Sequence, residues 1–173
     1  MAWISRFLGL EETAPARSEG DTATVRRIAD RLERLEPARA RFLAAFAFVL
    51  ARVAHADLRI DAEETSEMVR IVEGLAALSP EEATLAVEIA KSQARLLGGT
   101  ENYVVTREFR RMASPEERGQ LLQCLYAVAA ADGTISGLES AEIRAIAEEL
   151  GFTRGEANAL RGAYRDKLSE LRR

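Results

Sequence analysis

Two stretches of the chain are apolar almost without interruption, Phe42–Ala54 (FLAAFAFVLARVA) and Leu121–Ala131 (LLQCLYAVAAA). Neither contains Gly or Pro, and each is too long for a strand, so the pattern predicts two helices buried on most sides. Each run is followed by an acidic turn at Asp57 or Asp132 and then by an amphipathic segment. Gly133 supplies the positive φ that ends a helix. Ser136 and Glu139, three residues apart, form a capping box that starts the next helix, and Asp61 with Glu64 repeats the arrangement upstream.

The remaining apolar periodicity predicts further helices. Val25, Ile28, Leu32 and Leu35 make one stripe, over about Thr24 to Leu35, with Arg26, Arg27, Arg31 and Arg34 largely off it. Interleaved Asp30, Glu33 and Glu36 make that arginine-rich face a solvated, ion-paired one. Pro37 opens the helix that contains the first apolar run. Ser79-Pro80-Glu81-Glu82 and Ser114-Pro115-Glu116-Glu117 each combine a cap, a proline at the first helical position and a capping-box Glu. The first launches a helix to about Leu97, the second the Leu121 run. Tyr103 to Met112 reads as a short helix. Thr153 and Glu156 cap a final helix expected to reach about Leu171, with Arg165, Lys167, Arg172 and Arg173 near its end to suit the dipole. At the N-terminus, Trp3, Ile4, Phe7 and Leu8 share one helical face within residues 1–10. Residues 11–20, EETAPARSEG, read as a flexible linker. The expectation is an all-α protein of about seven to eight helices, with a single domain over residues 21–173.

The chain repeats itself. Laying Ala54-His55-Ala56-Asp57 on Ala129-Ala130-Ala131-Asp132 pairs Ile60 with Ile135, Glu64 with Glu139 and Glu67 with Glu142, with no gap. Ile71 then meets Ile146, and Leu75 meets Leu150. Each copy holds one helix with no face for water, so the two copies are expected to share one core rather than stack as a solenoid. The core should contain Phe46, Val49, Leu125 and Val128, and the two apolar helices should be the most buried of all.

Charge follows the repeat. The net charge is −4, yet residues 57–90 carry nine acidic groups against two basic, and residues 132–156 six against two. The acid therefore belongs to the turn-and-helix units, and the absence of a basic face argues against nucleic-acid binding. One cysteine, Cys124, precludes an internal disulfide and paired-cysteine metal sites, which fits a reducing cytoplasm. No apolar run has the length of a membrane span, and no secretory core is expected at the N-terminus. A lone His55 and a Cys124 set in an apolar helix offer no nucleophile–base pair, so the chain is not expected to be an enzyme. Residues 1–10 are read as a terminal helix docked on its own domain or as a weak membrane contact; with Arg6 as the sole cation, the docked reading is favoured.

The paired turns, AHADLRIDAEE and AAADGTISGLE, resemble those of the TerB-like family, which includes a helical tellurite-resistance protein and the N-terminal helical region of certain DnaJ-type cochaperones. The resemblance covers roughly Arg41 to Leu171. The second copy follows the family's A-x-A-D-G-x-I-x-x-x-E pattern, whereas the first has Leu58 in place of glycine. The resemblance implies an all-α bacterial domain, no established catalysis, divalent-metal binding on acidic residues, and a stress-response role near the inner membrane. Asp57, Asp61, Glu64, Asp132 and Glu139 are the candidate ligands, and Ca²⁺ or Mg²⁺ is the ion that oxygen donors would take. Each acid also has a local role: Glu64 and Glu139 complete capping boxes, and Asp57 and Asp132 suit turn backbones. Taken singly, those local roles are favoured. Glu63, Glu67 and Glu142 are surplus to capping and keep metal binding open. The expected function is a non-catalytic binding module with a protein partner. The alternative is a structural interaction domain in the cytoplasm, held at the inner membrane by residues 1–10, without metal.

Overall fold

A helix that is apolar all round has to sit at the centre of whatever it packs with, and the segment Pro37–Ala54 does so. In the computed structural model, residues 19–54, 62–94 and 102–171 are described. Among them stand eight α-helices: α1 Glu19–Glu33, α2 Pro37–Ala54, α3 Ala62–Leu75, α4 Pro80–Ala94, α5 Asn102–Met112, α6 Pro115–Ala129, α7 Gly137–Glu149 and α8 Arg154–Gly162. The described residues form no strand, and the fold is all-α, as the periodicity predicts.

α2 packs against α1, α4, α5, α6 and α7. Its side chains from Phe42 to Ala51, and Val53, are buried all around the helix. Phe42 and Phe46 close on Phe109 of α5 at ring distances of 5.2 and 6.1 Å. Phe46, Val49 and Leu125 belong to one apolar cluster, with the half-buried Val128 packed against it, so the two repeat copies share a core. α4 departs from the expected order of burial. Ala83, Leu85, Ala86, Val87, Ile89, Ala90 and Gln93 are all buried, which sets α4 as deep as α6. Its alanines let α2 approach closely, so contact surface that adds little to a hydrophobic pattern becomes interior.

Polar ties fix the directions of the helices. Arg39, early in α2, donates to both oxygens of Glu82 in the first turn of α4, at 2.6 and 2.7 Å, so these helices run parallel. Late in α4, Lys91 donates to Thr65 early in α3 at 2.9 Å, so α3 runs the other way. Gln120, early in α6, accepts from the Ala77 N–H just past α3 at 3.3 Å. One end of the bundle therefore gathers the C-termini of α2, α4 and α6 with the N-terminus of α3.

All four capping boxes that can be inspected are made, at Ser79/Glu82, Ser114/Glu117, Ser136/Glu139 and Thr153/Glu156. The start of α3 at Asp61 lies outside the described residues. α1 begins at Glu19, ahead of the expected Thr24 and inside the stretch read as linker. α7 ends in a Schellman turn, with Gly151 at φ +86 and the Phe152 N–H donating to Ala147 O at 3.0 Å. The Arg110 guanidinium lies across Gly151, 2.6 Å from where a Cβ would stand.

The last helix is a correction. α8 stops at Gly162, not near Leu171, so Arg165 and Lys167 do not cap a helix dipole. From Ala163 the chain turns back. Leu168 forms an isolated parallel bridge with Ile135: the Ile135 N–H donates to Lys167 O at 2.8 Å, and the Ser169 N–H donates to Ile135 O at 2.9 Å. Two buried apolar side chains, Ile135 and Leu168, meet at this bridge, and their burial outweighs the weak propensity that would continue the helix.

Candidate functional site

The turn after α6 is built from local chemistry. The Ala131 N–H donates to Val128 O at 3.1 Å and the Gly133 N–H to Ala130 O at 2.9 Å, with Gly133 at φ +96, which strains any side chain. Asp132 Oδ1 accepts from the Thr134 N–H at 2.9 Å, an Asx turn. Glu139 Oε2 accepts from the Ser136 N–H at 2.8 Å while Ser136 Oγ accepts from the Glu139 N–H at 3.2 Å. Both acids of this copy thus make the local bonds that their positions in the sequence call for. Glu139 is buried beneath its cap, whereas Asp132 is exposed.

The tertiary structure adds what neither turn shows alone. A cleft of about 730 Å³ opens between the two copies, at the end of the bundle where α2, α3 and α6 meet. Its apolar lining comes from Val53, Ala54, Met68, Val128, Ala129 and Ala131. Glu64 and Glu67 of the first copy and Asp132 and Glu139 of the second also line it, with Ser66 and Arg70. Three expected site residues, Glu64, Asp132 and Glu139, therefore share one cleft. Asp57 and Asp61 lie outside the described residues, as does His55.

Among the described residues, no three His, Cys, Asp or Glu side chains stand together in a way that could hold a metal ion. Of the surplus acids, Glu67 and Glu142 are already engaged. Glu142 Oε1 accepts from Arg52 Nε at 2.7 Å, and Glu149 Oε2 accepts from Arg52 Nη1 at 2.6 Å. Glu67 lies 3.3 Å from Arg70, one turn away on α3.

Arg52 is the residue that the sequence reading missed. Its side chain is 5% exposed, and Nη1 also donates to Thr106 Oγ1 at 2.8 Å. Burial works hardest against its charge, but the hydrogen bonds and charges of Glu149 and Glu142 outweigh it and hold the guanidinium pKa above its ordinary value. The signal was present: one cation in an apolar run needs buried partners, and two Glu seven apart share a face of α7.

Cys124 is buried in the core, and desolvation pushes its thiol up to about 12, so it stays protonated and unreactive. No described helix is long and apolar enough to cross a membrane. Fold and site together define a two-copy helical domain with an acid-rimmed, apolar-floored cleft between the copies.

A family model described as tellurite resistance protein TerB matches residues 42–162, from the first turns of α2 to the end of α8. The chain belongs to the TerB family. No curated protein and no solved structure matches it. α1 and the clamp formed by residues 163–171 fall outside the matched span.

Proposed function

We propose that this chain is a non-catalytic binding module whose cleft seats an amphipathic helical segment of a protein partner. The observation that supports this reading is the cleft itself: half-buried and exposed apolar side chains of Ala54, Ala62, Val128 and Ala131 beside Glu64, Glu67 and Asp132, supplied by both copies. Apolar anchors at helical spacing with Lys or Arg beside them complement such a surface. The matched family's name supports a setting in tellurite-related stress response. The test is titration with a synthetic peptide bearing leucines at i, i+3, i+4 and i+7 and lysines between them. Binding is expected to perturb the amides of Met68, Val128 and Asp132. It should weaken at least about tenfold in Glu64→Lys/Glu67→Lys, since each reversed charge replaces an attraction with a repulsion. Binding that is absent at millimolar peptide, or indifferent to the charge reversal, would sink the reading.

A second reading adds a divalent cation, Ca²⁺ or Mg²⁺. It rests on the convergence of Glu64 with Asp132 and Glu139 on one cleft, and it requires donors beyond the described set. A resident ion would raise the melting temperature in an ion-specific way. Asp132→Asn/Glu139→Gln would abolish that response. A rise that any salt reproduces equally would instead reflect screening of the acidic rim.

A further inference from the structure

Within the turn between α6 and α7, Ile135 takes its main-chain bonds from outside. The Ala131 and Gly133 N–H groups donate to the end of α6, Thr134 donates to Asp132 Oδ1, and Ser136 donates to Glu139. Ile135 instead donates to Lys167 O at 2.8 Å and accepts from the Ser169 N–H at 2.9 Å. Its side chain and that of Leu168 are both fully buried.

The clamp that supplies these bonds has few anchors. Leu168 is the only buried side chain in residues 163–171. Tyr164, half-buried, stacks on Tyr126 at 5.5 Å, and Glu170 Oε2 accepts from Arg161 Nη2 at 2.9 Å on the surface. A segment held by one buried side chain, one ring stack and an exposed ion pair opens before the core does.

When the clamp leaves, the Ile135 N–H and C=O lose both partners at a buried position, which is costly unless water replaces them. Ile135 then has to swing outwards. Gly133, at φ +96, is the hinge, because its backbone changes conformation with no side chain to obstruct it. α6 and α7 both pack on α2, so they stay while the turn between them moves. The turn is thus a two-state element, and the clamp holds one of the states. Ala131 and Asp132, just before Gly133, line the cleft, as does Glu139, whose carboxylate accepts from the Ser136 N–H next to Ile135.

We propose that residues 163–171 are a releasable clamp that governs the cleft through Ile135. Closed, it sets residues 131–136 as the second copy's wall of the cleft. Released, it lets Ile135 swing out and takes that wall apart. Control of partner binding rests on the cleft seating a helical segment; the two-state turn does not. Binding and clamp closure strengthen each other by the same factor, since coupling between two sites is reciprocal. A partner in the cleft tightens the end of the chain, and anything that captures that end weakens the partner.

The test uses the full chain. Leu168→Ala loosens the clamp, and Leu168→Met keeps an apolar side chain of similar size. In Leu168→Ala the amide resonances of Gly133 and Thr134 should shift together with those of Ile135 and Ser169, while Val49 and Leu125 stay in place. Leu168→Met should resemble wild type. The leucine–lysine peptide should bind Leu168→Ala at least about fivefold more weakly than wild type. In wild type, saturating peptide should slow amide exchange at Ser169, which does not line the cleft, by at least about the same factor. Where Leu168→Ala fails to fold, Glu170→Lys takes its place, breaking only the surface pair with Arg161, and should show the same joint movement at smaller amplitude. Gly133 and Thr134 resonances that stay put while Ile135 and Ser169 move overturn the proposal. So does Ser169 exchange that bound peptide leaves unchanged. The two readings fail separately. Joint movement of turn and clamp, with no peptide binding by wild type, removes the partner and keeps the two-state turn. Peptide binding as tight in Leu168→Ala as in wild type removes the clamp's control and keeps the partner cleft.

Discussion

Arg52 interrupts the apolar run Phe42–Ala54 with a charge, and the protein answers with Glu142, Glu149 and Thr106. Pairs of this kind add little net stability over an apolar replacement but are costly to break from one side. Arg52→Met would leave Glu149, 16% exposed, beside an uncharged neighbour. The expected loss is about 3 kcal/mol, at the low end for a broken buried pair because Glu142 stays in touch with water. Urea unfolding measures it. Adding Glu142→Gln and Glu149→Gln should restore part of the loss. If Arg52→Met alone is neutral, the ion pairs are incidental to packing. At this same scale, Asp132 and Glu139 keep the local bonds that their spacing implies, so their capping roles stand whatever occupies the cleft.

At the scale of elements, the turn between α6 and α7 is held from outside by the chain's own end. Leu168 is fully buried, and its neighbours bond both sides of Ile135. Leu168→Ala removes packing from a site with little room to collapse, and a loss of about 2–3 kcal/mol is expected. The loss should be local before it is global. Amide exchange at Ile135, Ser136 and Ser169 should quicken more than at Val49 or Leu125, since the clamp opens without disturbing α2. Uniform acceleration across the core would show instead that the tail is integral to the whole fold. The four capping boxes, by contrast, rest on residues three apart and would survive loss of the clamp.

Across the whole molecule, the end of the bundle opposite the cleft is tied by Arg39 and Glu82. The Arg39 hydrogen bond is the largest influence on Glu82, exceeding the opposing effect of burial, and holds its pKa below the ordinary 4.5. A depressed carboxylate contributes stability above its unfolded pKa, and that contribution is lost as pH falls through the folded value. Wild type should therefore lose stability progressively from about pH 5 downward. Glu82→Gln keeps an acceptor for the Ser79 N–H but no charge, so its stability should fall less steeply over the same interval, with less stability than wild type at neutral pH. Chemical denaturation at a series of pH values checks this. Identical slopes would mean that Arg39 and Glu82 are not coupled in solution.

The sequence by itself determined the helices, their caps, the repeat and the shared core. These follow from local chemistry: residues three or four apart decide a cap or a stripe, and a helix apolar all round has one place to go. It also named Asp57, Asp61, Glu64, Asp132 and Glu139 as the acids to watch, of which the last three line the cleft and the first two lie outside the described residues. Tertiary structure alone decided the rest. Whether Glu142 is spare or engaged depends on Arg52, ninety residues away. Whether the chain beyond Gly162 continues as helix or turns back depends on Ile135, which competes through burial against a weak local preference. The cleft belongs to neither copy, because its floor and rim arise only when α2, α3 and α6 come together. Residues such as Met68 and Val128 read as core along one helix and become the lining of a site only through the packing of three.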